Sequence, residues 1–245
     1  EPFYLRPLGM DGTIADGLFS QAVADEYGIA DSDLSHVLIE RTSRAKANPR
    51  GLNPAMPTPG KIRSGEVLAT PLRTSHRAPT SDGAACLVLA SADWVRRNPD
   101  HTPLARISGV GWATDSYYLG ADRLRGLSSV RTAWDNALRM AGGNAPELVE
   151  LESPTAFHEI AYTRALGLDE VPVSPSGGTW AQNPLTATGL VNAVEAILQV
   201  SGRAGAVQVP GIRRAAAHSC HGLAQQGNVV AVFDSVGTDA EGEAA

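Results

Sequence analysis

From residue 148 onward, strand-like and helix-like segments alternate, and the chain closes on two apolar runs joined by a short turn. This order constrains the fold more than any other feature of the sequence. Residues 148–151 read as a strand, and 157–166 as a helix stopped by Gly167. A turn cluster at 173–178 leads through Pro184 to Thr188-Gly189. A helix follows with Leu190, Val194, Ile197 and Leu198 on one face. Two strands, near 213–219 and 228–233, flank a His/Cys/Gly turn. Alternation of this kind predicts a layered α/β domain, and the short final turn predicts an antiparallel hairpin, expected at one edge of the sheet.

The earlier chain reads differently. Residues 15–27 carry Leu18, Phe19, Ala22, Val23 and Tyr27 at helical spacing, and Gly28 ends that helix. Asp31 or Ser32 can cap a second helix through Ala47, with Leu34, Val37 and Leu38 inward. Residues 48–80 are rich in Pro, Gly and Thr, and so long an irregular excursion usually covers something. Residues 83–91 (GAACLVLAS) read as a short buried strand. Residues 106–114 read as another strand, and a helix begins near 127 with Val130, Trp134 and Leu138 on one face.

Composition narrows the function classes. The 245 residues carry a net charge of −6, which argues against a general nucleic-acid surface. No apolar run approaches the roughly 20 residues that span a bilayer. Two cysteines, Cys86 and Cys220, make no disulfide framework, and no closely spaced Cys/His set offers a metal site. The expectation is a soluble, cytoplasmic protein. The opening Glu1-Pro2-Phe3-Tyr4 is no signal peptide and starts as if within a connection, so a preceding segment is expected.

Four segments, in order, resemble the thiolase superfamily. Residues 176–189 (SGGTWAQNPLTATG) resemble its glycine-rich signature, which precedes a helix and supplies a histidine. Residues 79–90 (PTSDGAACLVLA) and 151–168 resemble segments of the sterol-carrier-protein-x type, a thiolase-like lipid-transfer subgroup. Residues 218–227 resemble the closing C-x-G turn. The resemblance implies a layered αβαβα fold built from two similar halves. Residues 1–80 would be the loop domain, and 81–103 the last strand of the first half with a linker. Residues 104–235 would be the complete C-terminal half, and 236–245 a flexible tail. The first half, with its nucleophilic cysteine, would be largely absent from this chain.

The same resemblance implies acyl-CoA chemistry beside a thioester, with no covalently bound cofactor and coenzyme A thioester as substrate. Thiolase-type chemistry needs a nucleophile, a second acid/base and donors for an enolate oxygen. Cys220, in Cys220-His221-Gly222, stands near the acid/base cysteine, although Ser219 takes that place under another alignment and a structural role is as reasonable. Cys86 reads as a small buried hydrophobe. His221 is a candidate cation beside the thiol. Asn183 stands where the family has histidine; it can donate a hydrogen bond but cannot shuttle a proton near neutral pH. Glu152-Ser153-Pro154-Thr155 replaces the family's H-D-C-F, and His158 follows as a candidate that is equally a helix-start polar residue. Ser176, Gly177 and Gly178 would let backbone approach the substrate, or are plain turn residues. Arg44 and Lys46, within a stretch that also holds Arg41, Arg50, Lys61 and Arg63, would attract CoA phosphates, or form a solvated face.

Three functions compete at this level. One is a thiolase-like acyltransferase whose nucleophile comes from a partner or a missing segment. Another is a retro-aldolase cleaving a sterol-type side-chain β-hydroxyacyl-CoA, in the manner of steroid degradation. The third is a non-catalytic subunit. The subgroup's habits imply a homo- or hetero-oligomer, possibly with a zinc-ribbon/OB-fold acyl-CoA-binding protein.

Overall fold

The computed structural model describes residues 4–236; the first three residues and all but the first residue of the 236–245 tail lie outside the described residues. After a 3-10 turn at Arg6–Leu8 comes helix α1, Gly12–Tyr27, whose N-terminal amide at Ile14 is capped by the Asp11 carboxylate at 2.9 Å. Gly28 closes it in the left-handed conformation at φ 60°. Helix α2, Asp31–Ala47, follows with Leu34 and Leu38 buried. The excursion after it contains a short helix α3, Pro59–Arg63, and a small hairpin of β1, Val67–Ala69, and β2, Leu72–Arg73.

Residues 83–91 form no strand. Val88 is 94% exposed and Leu89 72%, and Cys86 is exposed, not the buried hydrophobe expected. The apolar composition is that of a buried strand, but no strand among the described residues lies alongside to pair with it or cover it. Only its start is held: Ser81 and Asn183 exchange hydrogen bonds, and Pro184 lies over Gly83. A short helix α4, Ala92–Arg97, leads to the main domain.

That domain is a four-stranded sheet with helices on both faces. Its elements are β3, Ala105–Thr114; α5, Ala121–Gly126; α6, Ser128–Met140; β4, Leu148–Glu150; α7, Ala156–Leu166; α8, Thr188–Val200; β5, Arg214–His221; and β6, Gly227–Ser235. The strand order is β3-β6-β5-β4. The β5–β6 hairpin is antiparallel, with His218 opposite Val230. It occupies the middle of the sheet, not an edge, because β3 adds antiparallel to β6 and β4 adds parallel to β5. Val173 bridges Val149 in parallel on the other side of β4, a rudimentary fifth strand position.

The pleat assigns the two cores. Ala216 points to the face covered by α1, α6 and α7, with Val130, Ala133, Ala161 and Phe19. Ala215 and Ala217 point to the other, where Ala196 and Val200 of α8 pack with Leu148 and Phe233. His218 and Cys220 therefore project toward α7 and α1, while Ser219 and His221 project toward the side of α8.

Ion pairs fasten α2 and the start of the excursion to this domain. Arg41 meets Glu159 of α7 at 2.6 Å, both almost fully buried. Arg50 grips Glu195 of α8 through two nitrogens, at 2.9 and 2.7 Å. Of the basic stretch in the sequence, Arg41 and Arg50 are thus structural; Arg44, Lys46, Lys61 and Arg63 remain exposed.

Candidate active site

The ends of β4 and β5 and the first turn of α8 meet at one carboxylate, Glu152. The Ser219 hydroxyl donates to its Oε2 at 2.9 Å, and the Cys220 amide to the same oxygen at 3.3 Å. Gly189, second residue of α8, comes so close that a Cβ there would lie 2.2 Å from the Ser219 oxygen and 3.4 Å from Glu152 Oε2. A glycine is required at this approach. Burial pushes the Glu152 carboxyl up to about 7, against the lowering effect of the two hydrogen bonds from Ser219 and Cys220. A carboxyl poised there exchanges protons readily at neutral pH.

Cys220 is buried, and its thiol donates to the Glu152 carbonyl oxygen at 3.5 Å. Burial first, then the negative charges of Glu152 and Asp16, push the thiol well above its ordinary range. It is a hydrogen-bond donor at neutral pH, not a thiolate. His221 is exposed at the end of β5, with its ring lying over Gly227.

Asn183 sits before α8. The Thr188 hydroxyl donates to its side-chain oxygen at 3.0 Å, which fixes the amide and leaves its NH₂ group as the available donor. Asn183, Thr188, Gly189, Ser219, Cys220 and Glu152 thus form one contiguous chain of contacts.

The other predicted residues lie elsewhere. His158 is fully buried on α7, stacked on Phe19 at 4.0 Å, and its Nδ1 pairs with the Thr155 hydroxyl at 2.8 Å. Burial, with smaller contributions from His218 and Arg77, pulls its pKa down to about 3, so it is neutral. Ser176 is buried, and its hydroxyl donates to Glu150 at 2.6 Å. Gly177, at φ 92°, lies where a Cβ would meet the Ala45 backbone at 2.5 Å, and Gly178 is buried beside it. These three seat the glycine-rich loop against α2. Arg44 and Lys46 project from the last turn of α2. Among the described residues no group of three or more His, Cys, Asp or Glu side chains converges to hold a metal ion, and no helix is long and apolar enough to cross a membrane. Two larger hollows, of about 450 Å³ between α2 and α7 and about 230 Å³ under the β1–β2 hairpin, touch none of Glu152, Asn183 and Cys220.

Comparison with known proteins sets this geometry in context. Residues 147–235 match the family model described as thiolase C-terminal domain-like. An acetyl-CoA acetyltransferase of Methanothermobacter thermautotrophicus is 30% identical over 218 residues, covering 80% of this chain and 57% of that protein. Sterol carrier protein 2 of Gallus gallus is 29% identical over 184 residues, covering 65% of this chain and 33% of its own length. The chain therefore spans about half or less of these relatives. Among solved structures, an Ltp2-ChsH2(DUF35) aldolase superposes with a TM-score of 0.76 at 16% identity, covering 96% of this chain and 66% of that one. A monomeric SCP2-thiolase-like protein from Mycobacterium smegmatis gives 0.66 at 17% identity, covering 95% of this chain and 53% of that one. At such identities the superpositions show the fold alone.

Proposed function

This chain carries a C-terminal domain of the thiolase superfamily, and from that premise we propose that it cleaves the carbon–carbon bond of a β-hydroxyacyl-CoA by a retro-aldol reaction, with Glu152 as the general base. The observation that carries this reading is a near-neutral carboxyl, Glu152, joined through Ser219, Gly189 and Thr188 to the Asn183 amide. Acyl transfer requires a thiolate nucleophile, and neither Cys220, which resembles the acid/base cysteine, nor the exposed Cys86 takes that place here. A retro-aldol step requires only a base and an enolate hole.

In this reading the Glu152 carboxylate takes the proton from the substrate's β-hydroxyl. The Cα–Cβ bond breaks, the β-carbon leaves as an aldehyde or ketone, and the electron pair becomes the enolate of the shortened thioester. The NH₂ group of Asn183 donates to the developing enolate oxygen. The protonated Glu152 then returns its proton to Cα, releasing acyl-CoA and restoring the base. No free coenzyme A is consumed. Arg44 and Lys46, exposed on α2, attract the CoA phosphates. A bulky sterol-type side chain is the substrate class to test first, and a partner subunit or further segment that covers residues 83–91 belongs to the working assembly.

The experiment offers a β-hydroxyacyl-CoA to the protein isolated from its own cells, so that whatever completes it is retained. Carbonyl product and shortened acyl-CoA are expected in equal amounts, and Glu152→Gln should lower the rate by roughly 10²- to 10⁴-fold. Turnover of a β-ketoacyl-CoA only when free CoA is added would make the protein an acyltransferase instead. An intact assembly whose turnover survives Glu152→Gln would assign this chain the role of a scaffold.

A further inference from the structure

The hollow of about 230 Å³ under the β1–β2 hairpin plays no part in the chemistry at Glu152. Leu34 of α2, Ile62 of α3 and Phe157 of α7 give it apolar walls, and Arg63, Arg73, His76 and Asp31 bring polar groups to it. Apart from Phe157, none of these residues belongs to the 147–235 stretch that matches the thiolase C-terminal family model. Its shape is held by bonds within the excursion. The Ser75 hydroxyl donates to the Ile62 carbonyl at 2.7 Å, the Arg73 guanidinium to the Gly65 carbonyl at 2.8 Å, and the Thr74 amide to the Glu66 carbonyl at 2.9 Å. Together they tie α3 to the chain on the far side of the hairpin, so the hollow is preformed.

Its polar groups are set as donors. His76 is only 4% exposed, and its ring meets Phe157 edge-on at 5.4 Å. Burial, then the nearby Arg73, holds the imidazole below its ordinary pKa against the pull of Asp31, so the ring is neutral. The Arg73 amide donates to Nδ1 at 3.3 Å, which leaves the hydrogen on Nε2. That N–H meets no acceptor among the described residues. It is not one of the sealed polar atoms of the interior either, so its open side is the hollow that His76 lines. Neither Arg63 nor Arg73 pairs with a carboxylate among the described residues. Two guanidiniums and the single carboxylate of Asp31 leave one net positive charge around the space, which one negative charge balances.

We propose that this hollow binds a small organic monoanion, a carboxylate carried on a compact apolar body. Arg63 and Arg73 present planar, forked donors that match a carboxylate. The Nε2–H of His76 adds a third kind of donor, and Leu34, Ile62 and Phe157 enclose the body. A doubly charged phosphate fits less well, because Asp31 repels its second charge and the apolar walls gain nothing from it. The site is separate from Glu152, Asn183 and Cys220, and it stands whether or not the retro-aldol reading does.

Phenylacetate is the probe, titrated into the full chain and followed by the nitrogen-15 signals of histidine-labelled protein. A saturable movement of the His76 Nε2 signal is expected at millimolar phenylacetate or below, with His158 and His218 unmoved. Phenylacetamide, which has the same shape and no charge, should bind about tenfold or more weakly, as the loss of charge-assisted hydrogen bonds requires. Arg63→Ala removes an exposed side chain that holds no other element, and it should weaken phenylacetate by about the same factor while the ligand-free His76 signal keeps its place. Absence of saturation overturns the proposal, as does equal affinity for phenylacetamide or unchanged affinity in Arg63→Ala. Inorganic phosphate that binds more tightly than phenylacetate would make this a site for a bare anion and overturns it too.

Discussion

At the scale of single residues, the pH at which Glu152 exchanges its proton depends on one hydroxyl. Ser219 donates to Glu152 Oε2 and favours the charged carboxylate, opposing the desolvation that raises the group to about 7. Removing that donor in Ser219→Ala leaves desolvation less opposed. A hydrogen bond to a charged group is worth about 1.5–3 kcal/mol, so the midpoint should rise by about one pH unit or more. The acid limb of the pH–rate profile should move to higher pH by that amount, and a limb that stays in place would show that Ser219 does not tune the base. Glu152 was legible only as a replacement within the segment resembling H-D-C-F. The signal was its place, first of the four residues where the family keeps functional side chains. Its role could not be read there, because the serine and the amide that tune it come from a strand 67 residues further on. His158 shows the converse. A histidine at a helix start reads as a site residue, yet the inward direction of that helix face is set by Phe19, from the far end of the sequence.

At the scale of elements, α2 is held to α7 through a buried pair that periodicity does not reveal. Burial alone would pull Arg41 down, but the Glu159 carboxylate at 2.6 Å more than offsets this and keeps the guanidinium charged. Arg41→Ala would strand a buried carboxylate, a loss of about 3–5 kcal/mol, while Arg41→Met with Glu159→Leu should recover most of it. Urea unfolding of the two variants checks this; equal losses in the single and double variants would place the cost in packing rather than in charge. The starts of helices α1, α2, α6, α7 and α8 were legible within about three residues, because each carries its own periodicity. The reading of residues 83–91 as a buried strand failed, since pairing depends on a neighbour outside the segment. The hairpin was recognised, but its central place was not, because β3 joins β6 across more than 100 residues.

At the scale of the molecule, two kinds of buried titratable group give stability opposite pH slopes. Burial raises Glu150 to about 8 and Glu152 to about 7, from 4.5. The folded state therefore binds more protons than the unfolded chain above about pH 4.5, and stability contributed by these groups is lost as pH rises through 7 and 8. Burial lowers His158 to about 3 and His218 to about 4, from 6.5. There the unfolded chain binds more protons, and stability rises with pH until about 6.5. Between about 4.5 and 6.5 the two effects oppose each other. Below that window the histidines prevail, joined by Asp234, whose carboxyl the Arg214 guanidinium holds below its usual range, so stability falls with acid. Above it only the carboxyls remain, and stability should fall by about 2 kcal/mol between pH 6.5 and 8. Urea midpoints at pH 5.5, 6.5 and 8 measure this directly. Glu150→Gln keeps an oxygen to accept from the Ser176 amide and presents an NH₂ that can donate to the Ser176 hydroxyl oxygen, but it cannot ionise, so it should remove the larger part of the alkaline loss. A loss that persists undiminished in that variant would show that Glu150, buried beside Glu195, does not carry the alkaline loss.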